Sequence, residues 1–222
     1  MLFSLNSPQA AYIPAPLGGA SLIYLDEALL VVNKPAGLLA VPGRGTDKQD
    51  SLASRIQIEF PDALVVHRLD MATSGLIIFA RGIVIQSHLS RSFRERLVVK
   101  RYVAVVAGKL EPPTGEINLP LASDWPNRPK QKVDAAIGKP SLTRYQLLTY
   151  DACTNTSRVE IEPLTGRTHQ LRVHMAATGH TIVGDILYGG HTAKRLMLHA
   201  CSLSFDHPLS GEPLDLSCKP PF

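Results

Sequence analysis

Cysteine is scarce in this 222-residue chain: Cys153, Cys201 and Cys218 form an odd set at wide spacing, with no C-x-x-C pair. That excludes a disulfide framework and a zinc ribbon, and reduced thiols in the cytosol are the simpler reading. Early positive charge is missing as well. The first basic residue is Lys34, so no secretory signal is expected. Apolar runs such as Leu76–Ala80 are far too short to cross a bilayer. Neither a G-x-G-x-x-G nor a P-loop pattern is present, which argues against a nucleotide cofactor. Aromatics make up only 6% of the chain, with a single tryptophan, Trp125. No repeat, low-complexity tract or interdomain linker stands out. These absences point to a soluble, cytoplasmic protein of one main domain.

What is present suffices for a sizeable core, since 45% of the residues are hydrophobic. A net charge of +4 is a mild basic bias, compatible with a polyanionic partner but common in ordinary soluble proteins. Residues 1–20, with Pro8, Pro14, Pro16, Gly18 and Gly19, read as an irregular N-terminal extension, and residues 21–222 as the folded domain. Leu22–Leu25 and Leu29–Asn33 flank Asp26-Glu27 as a hairpin. Further strand candidates are Leu64–His67, Gly75–Arg81, Val98–Ala107, Ser141–Tyr150, Arg158–Glu162, Leu196–Phe205 and Pro213–Ser217. Three helices are expected: Leu52–Phe60 capped by Asp50 or Ser51, Val84–Arg96, and Arg167–Thr178 capped by Thr165 and stopped by Gly179. Mostly adjacent strand runs imply a mixed, largely antiparallel α+β fold.

The stretch richest in chemistry is His67-Arg68-Leu69-Asp70-Met71-Ala72-Thr73-Ser74-Gly75, a loop between two strand candidates with an aspartate at its centre. Arg68 and Asp70, two apart, fall on one side of an extended chain. Thr73, Ser74 and Gly75 can tie the turn through side-chain to backbone bonds. Spacing alone favours an aspartate that merely braces its own turn, because that is what most turn aspartates do.

The wider pattern points elsewhere. Those nine residues resemble the H-R-L-D-x-x-T-S-G signature of the RluA-type pseudouridine synthases. Val32-Asn33-Lys34-Pro35-Ala36-Gly37 is similar to that family's V-N-K-P-x-G motif, and Lys100-Arg101-Tyr102 to its K-x-Y motif. Thr165-Gly166-Arg167-Thr168-His169-Gln170-Leu171-Arg172-Val173-His174 resembles its T-G-R-x-H-Q-x-R-x-H motif. Gly179-His180, Gly184-Asp185 and Tyr188 continue the series. The blocks follow the family's order over residues 20–222. Arg44 and the stretch Asp124–Lys132 resemble the smaller RluA subgroup, which modifies a tRNA anticodon stem-loop and a similarly shaped 23S rRNA loop. With some twenty residues before the first motif, no S4 domain is expected.

The resemblance implies an RNA isomerase of the pseudouridine synthase fold that needs neither cofactor nor metal. Asp70 corresponds to the family's catalytic carboxylate, which either attacks the ribose or acts through a glycal-like route; the sequence does not choose. Arg172 corresponds to the arginine that pairs with it, and Tyr102 to the active-site tyrosine, whose ring stacks on the uracil or lies in the core. Arg68 corresponds to the arginine that fills the space of the flipped-out base, a phosphate contact being the plainer alternative. His67, Arg91, Arg94, Lys100, Arg128, Lys130 and Arg167 complete the expected RNA contacts. Structured RNA is the expected partner, with no protein partner, no membrane and a monomeric state.

Two rival readings are available. His169, His174, His180 and Asp185 suggest a metal-dependent hydrolase, yet His169 and His174 would sit about 140° apart on a helix, and no H-E-x-x-H occurs. A non-catalytic RNA-binding or ribosome-assembly module would use the same basic surface. The presence of Asp70, Tyr102 and Arg172 together argues against it.

Overall fold

The computed structural model describes Tyr12, Pro14 and residues 21–222. The extension expected over residues 1–20 otherwise lies outside the described residues. From Ser21 onward the strands are β1 (Ser21–Leu25), β2 (Leu29–Lys34), β3 (Ala63–Val65), β4 (Ser74–Arg81), β5 (Val99–Ala107), β6 (Thr114–Asn118), β7 (Leu121–Ser123), β8 (Gln131–Val133), β9 (Leu142–Asp151), β10 (Thr156–Pro163), β11 (Leu198–Asp206) and β12 (Pro213–Ser217). The helices are α1 (Leu52–Glu59), α2 (Ile83–Glu95) and α3 (Gln170–Ala177).

Ten strands form one sheet in the order β1-β2-β4-β11-β5-β10-β9-β6, with β12 on β11 and β3 on β4; β7 and β8 form a separate ribbon. Every named pairing is antiparallel except β4 with β11, which are parallel over Ser74–Gly75 and His199–Ala200. The fold is therefore the mixed, mostly antiparallel α+β architecture expected from the strand pattern. The short strands β6, β7 and β8 were not anticipated. Each is five residues or fewer, too short for an alternation to stand out.

Central strands β2 and β4 are covered on both faces, which explains their continuous apolar runs. Leu76 and Ile78 join Ile85 and Leu89 of α2 on one face. Ile77 and Phe79 join Leu52 and Ala53 of α1 on the other. A third cluster, with Ala104, Val159 and Ile161, receives Leu171 and Met175 of α3. Tyr102 packs against the second and third clusters, where the two halves of the sheet meet.

Local chemistry sets the boundaries. Asp26 accepts the Ala28 and Leu29 N–H groups at 2.8 Å each and so closes the first hairpin. Ser51 caps α1 in a reciprocal box with Ser54. Helix α2 stops at Glu95, because Arg96 takes the left-handed conformation (φ 64°) that turns the chain into β5. The third helix begins three residues later than expected, and Thr165 is not its cap. Thr165 instead donates to the Gln170 side chain, whose Oε1 also accepts the Arg167 N–H at 3.0 Å. That side chain holds residues 165–169 as a loop and keeps Arg167 off the helix.

The seam between the half-sheets is tightly constrained. Gly75 has φ 118°, and a Cβ built there would stand 2.3 Å from the Ala200 carbonyl oxygen. Only glycine fits both conditions. Gly75→Ala is expected to destabilise the fold by at least about 2 kcal/mol in urea denaturation. A loss below about 0.5 kcal/mol, the usual size for an innocuous site, would contradict this reading of the seam.

Candidate active site

The loop from Val66 to Thr73 is fixed from beneath. Lys34, at the end of β2, is fully buried (0% exposed). Its ammonium spends its three donors on the carbonyls of Pro35 (2.9 Å), Leu38 (2.7 Å) and Met71 (3.1 Å). Gly37 N–H also donates to the Met71 carbonyl, at 2.8 Å. Burial drives the Lys34 pKa down to about 7, although the Asp70 charge opposes the shift. Lys34 was visible in the sequence only as part of a motif, with no role attached. On the other side of the loop, Ser74 was expected to brace its own turn, but its hydroxyl reaches across the seam to His199 Nδ1 (2.7 Å) and the Arg195 guanidinium. The turn itself is held by backbone, Thr73 N–H to Asp70 C=O at 3.1 Å.

Asp70 thereby stands at the floor of a cavity of about 630 Å³, within the range of small-molecule sites. Its side chain is 22% exposed, against 4% for Arg172. Arg172 does not take Asp70 as its principal partner. Nε and Nη2 bind the two oxygens of buried Asp185 at 2.7 Å each, and Nη1 lies 3.7 Å from Asp70 Oδ2. A planar guanidinium makes this division possible: its fork clamps one carboxylate and still offers an edge to a second. Burial works against the Arg172 charge, but the bonds and charge of Asp185, joined by Asp70, more than offset it and raise the guanidinium pKa. Asp185 was noted in the sequence only as part of a motif and as a weak metal-ligand candidate.

His169 completes the floor. It precedes α3 in the left-handed conformation (φ 54°), with Nε2 3.9 Å from Asp70 Oδ2 and Nδ1 2.8 Å from the Tyr188 hydroxyl. Burial depresses its pKa, the Asp70 charge opposing. Tyr188 accepts the Gln131 N–H at 2.8 Å, so its own proton is free to go to Nδ1 of a neutral imidazole, leaving Nε2–H on the side of Asp70. The Arg172 guanidinium lies 5.1 Å from the centre of the Tyr188 ring. The histidines grouped as a metal candidate are dispersed: His174 binds Thr143 and the Leu119 carbonyl, and His180 the Ala107 carbonyl. Among the described residues no cluster of three His, Cys, Asp or Glu side chains could hold a metal.

Tyr102 lines the cavity from β5, and its phenol pKa is raised by burial first and then by the Asp70 and Cys201 charges. Arg68, Arg94, Arg96, Lys100 and Arg167 also line the cavity. Arg68 and Arg167 are exposed, and Arg167 donates to the Pro140 carbonyl at 3.3 Å from both Nε and Nη2. The rest of the expected RNA set divides. Arg91 on α2 is exposed but does not line the cavity, and Arg128 and Lys130 stand apart on the β7–β8 connection. His67 is placed in the cavity wall, but not as a group that could meet a phosphate. Its Nε2 accepts the Ile78 N–H at 3.0 Å, its ring stacks on Phe93 at 4.4 Å, and burial pushes its pKa down to about 3. A neutral imidazole committed to β4 brings no charge to RNA.

With this geometry in hand, comparison with known proteins is decisive. Residues 28–177 match the model of the RNA pseudouridylate synthase family. The dual-specificity RNA pseudouridine synthase RluA of Escherichia coli K12 is 49% identical over 205 residues, covering 90% of this chain and 93% of that protein. The protein of the same name from Vibrio cholerae is 52% identical over 193 residues, covering 85% and 78%. The chain belongs to the RNA pseudouridylate synthase family. Among solved structures, human RNA pseudouridylate synthase domain containing 1 superposes with a TM-score of 0.78 at 32% identity, over 95% of this chain and 87% of that one. The large sheet and its central cavity are thus the pseudouridine synthase fold.

Two neutral histidines of this pseudouridine synthase, the buried His199 and the part-buried His67, make its stability pH-dependent. His67 is held down to about 3 and His199 to about 4, the latter by burial and then by the Arg195 charge. Between those values and 6.5 the unfolded chain binds protons that the folded chain does not, so the stability is complete above pH 6.5 and is lost as pH falls. Each histidine adds a slope of up to about 1.4 kcal/mol per pH unit in that window. Urea unfolding of His67→Gln between pH 6.5 and 4 should show a shallower decline than the parent. Parallel declines would contradict the assignment.

Proposed function

We propose that this RNA pseudouridine synthase isomerises uridines in folded RNA with Asp70 as its catalytic carboxylate. One observation carries the assignment: among the described residues, Asp70 is the only carboxylate lining a cavity bordered by Arg68, Arg94, Arg96, Lys100, Arg167 and Arg172. A lone anion inside an electropositive mouth suits a substrate that arrives as a polyanion and reacts at one sugar carbon.

The reaction breaks the N1–C1′ bond of uridine, turns the uracil, and joins C5 to the same C1′. C5 gives up a proton and N1 gains one, so atoms and electrons balance without a co-reactant. Asp70 faces the ribose, either as nucleophile at C1′ or as the base that opens a glycal-like route. Arg172, clamped by Asp185, fixes the carboxylate's orientation and keeps its negative charge paired in a water-poor site. Tyr102 offers its ring to the uracil. Because its phenol is held protonated, stacking is favoured over a role as base at C5. Arg68, exposed at the cavity, enters the helix or loop as the uridine leaves it, its planar guanidinium replacing the lost stacking. Arg94, Arg96, Lys100 and Arg167 meet phosphates. The substrates proposed are a tRNA anticodon stem-loop and a 23S rRNA loop of similar shape, in keeping with relatives named as dual-specificity enzymes. The chain acts on them as a cytoplasmic monomer without a protein partner.

Asp70→Asn is expected to lower tritium release from 5-³H-uridine-labelled tRNA by at least ~10³-fold, while the Kd from filter binding stays within about threefold. Retained release would remove Asp70 from its role. No release by the parent chain on any cellular RNA would favour a binding module instead.

A further inference from the structure

The chain's only tryptophan is placed where a core residue would not be. Trp125 opens a short 3-10 turn, Trp125–Asn127, between β7 and β8, and is 66% exposed. An exposed indole gains nothing for the fold. Its contact is with Arg128, whose guanidinium carbon lies 3.3 Å from the ring centroid. Hydrogen bonds tie the turn that carries the stack. Asn127 bonds to Asp124 through both side chain (2.9 Å) and backbone (3.0 Å), and Asp124 N–H donates to the Lys130 carbonyl at 3.0 Å. Lys132 is drawn back to Asp134 at 3.0 Å, which leaves Arg128, stacked on the indole, and Lys130, two residues further on, as the cations of this turn.

The arm is also set in register with the cavity. Gln131, where β8 begins, donates its N–H to the Tyr188 hydroxyl, which is bonded in turn to His169, 3.9 Å from Asp70. A single hydroxyl thus links the root of the arm to the cavity floor.

We propose that Trp125, backed by Arg128, is a stacking platform for an unpaired nucleobase of the RNA loop that presents the target uridine. The proposal rests on the enzymatic reading above and extends it from phosphate contacts to a base contact outside the cavity. An indole recognises a flat π-face and carries no charge, whereas the cations next to it attract the backbone on either side of that base. A protein surface would be a poorer match, because the exposed ring is stacked on the Arg128 guanidinium in a turn that also carries Lys130.

Because Trp125 is the only tryptophan, its fluorescence reports on the platform alone. In Asp70→Asn protein, used to prevent turnover, titration with a tRNA anticodon stem-loop should quench the emission with the same midpoint as filter binding. Trp125→Ala should weaken Kd by about tenfold without changing the slope of log Kd against log salt, and Trp125→Tyr should recover most of the loss. Arg128→Gln should instead reduce the magnitude of that slope by about 0.7. If the RNA binds with no change in emission, or Trp125→Ala binds within about twofold of its parent, the platform is refuted while the enzymatic reading stands. If the parent chain neither binds RNA nor releases tritium, both fail.

Discussion

The structure turns on the ion pair between Arg172 and Asp185. Removing two charges from water is expensive, and such a pair contributes little to net stability unless its remaining donors and acceptors are used. Here they are. Asp185 accepts the Leu187 and Tyr188 N–H groups at 3.0 and 3.2 Å besides the guanidinium, so one buried carboxylate fixes a cation and the loop carrying Tyr188. Tyr188 then orders His169 on one side and the root of the β7–β8 arm on the other. The edge of the guanidinium left over faces Asp70. In the proposed mechanism this unused edge matters most: a cation already committed to Asp185 cannot swing away from the reacting carboxylate, so its orientation is settled before RNA arrives.

The other half of the site is fixed by the seam. Gly75 lets β4 approach β11 to a distance no side chain would allow, and Ser74 beside it bonds across to His199. Below the loop, Lys34 trades solvation for three carbonyls, one of them Met71 next to Asp70. Asp70 is therefore held from two elements distant in sequence, β2 and β11, while α3 supplies its counter-charge. Such over-determination is what a carboxylate needs if its working geometry is to survive the arrival of a large, deformable polyanion.

Much of this was legible in the chain. Strands β2, β4 and β12 were readable because buried or alternating runs bounded by turn residues carry a clear period, and Ser51 announced α1. Shorter elements escaped. β6 spans Thr114–Asn118, with one fully buried position, and gives no repeat to read. The start of α3 was misjudged because an arginine and a threonine ahead of it look helical. Only the tertiary role of Gln170 keeps them out. At the site, motif resemblance singled out Asp70, Tyr102 and Arg172, which line one cavity, and paired Arg172 with Asp70. The clamp by Asp185, thirteen residues further on, is a long-range bond that no local pattern signals. His67, expected among the RNA contacts, likewise has a partner beyond its own loop: its nitrogen accepts a backbone N–H of β4.

In the proposed mechanism Arg172 orients Asp70 for chemistry rather than helping to capture RNA. The direct measurement is the single-turnover rate of tritium release at saturating tRNA for Arg172→Lys, which keeps the charge but loses the fork. The rate should fall by about 100-fold or more while Kd changes less than about threefold. A rate within about twofold of the parent would show that the carboxylate needs no such clamp and that Arg172 does not orient it.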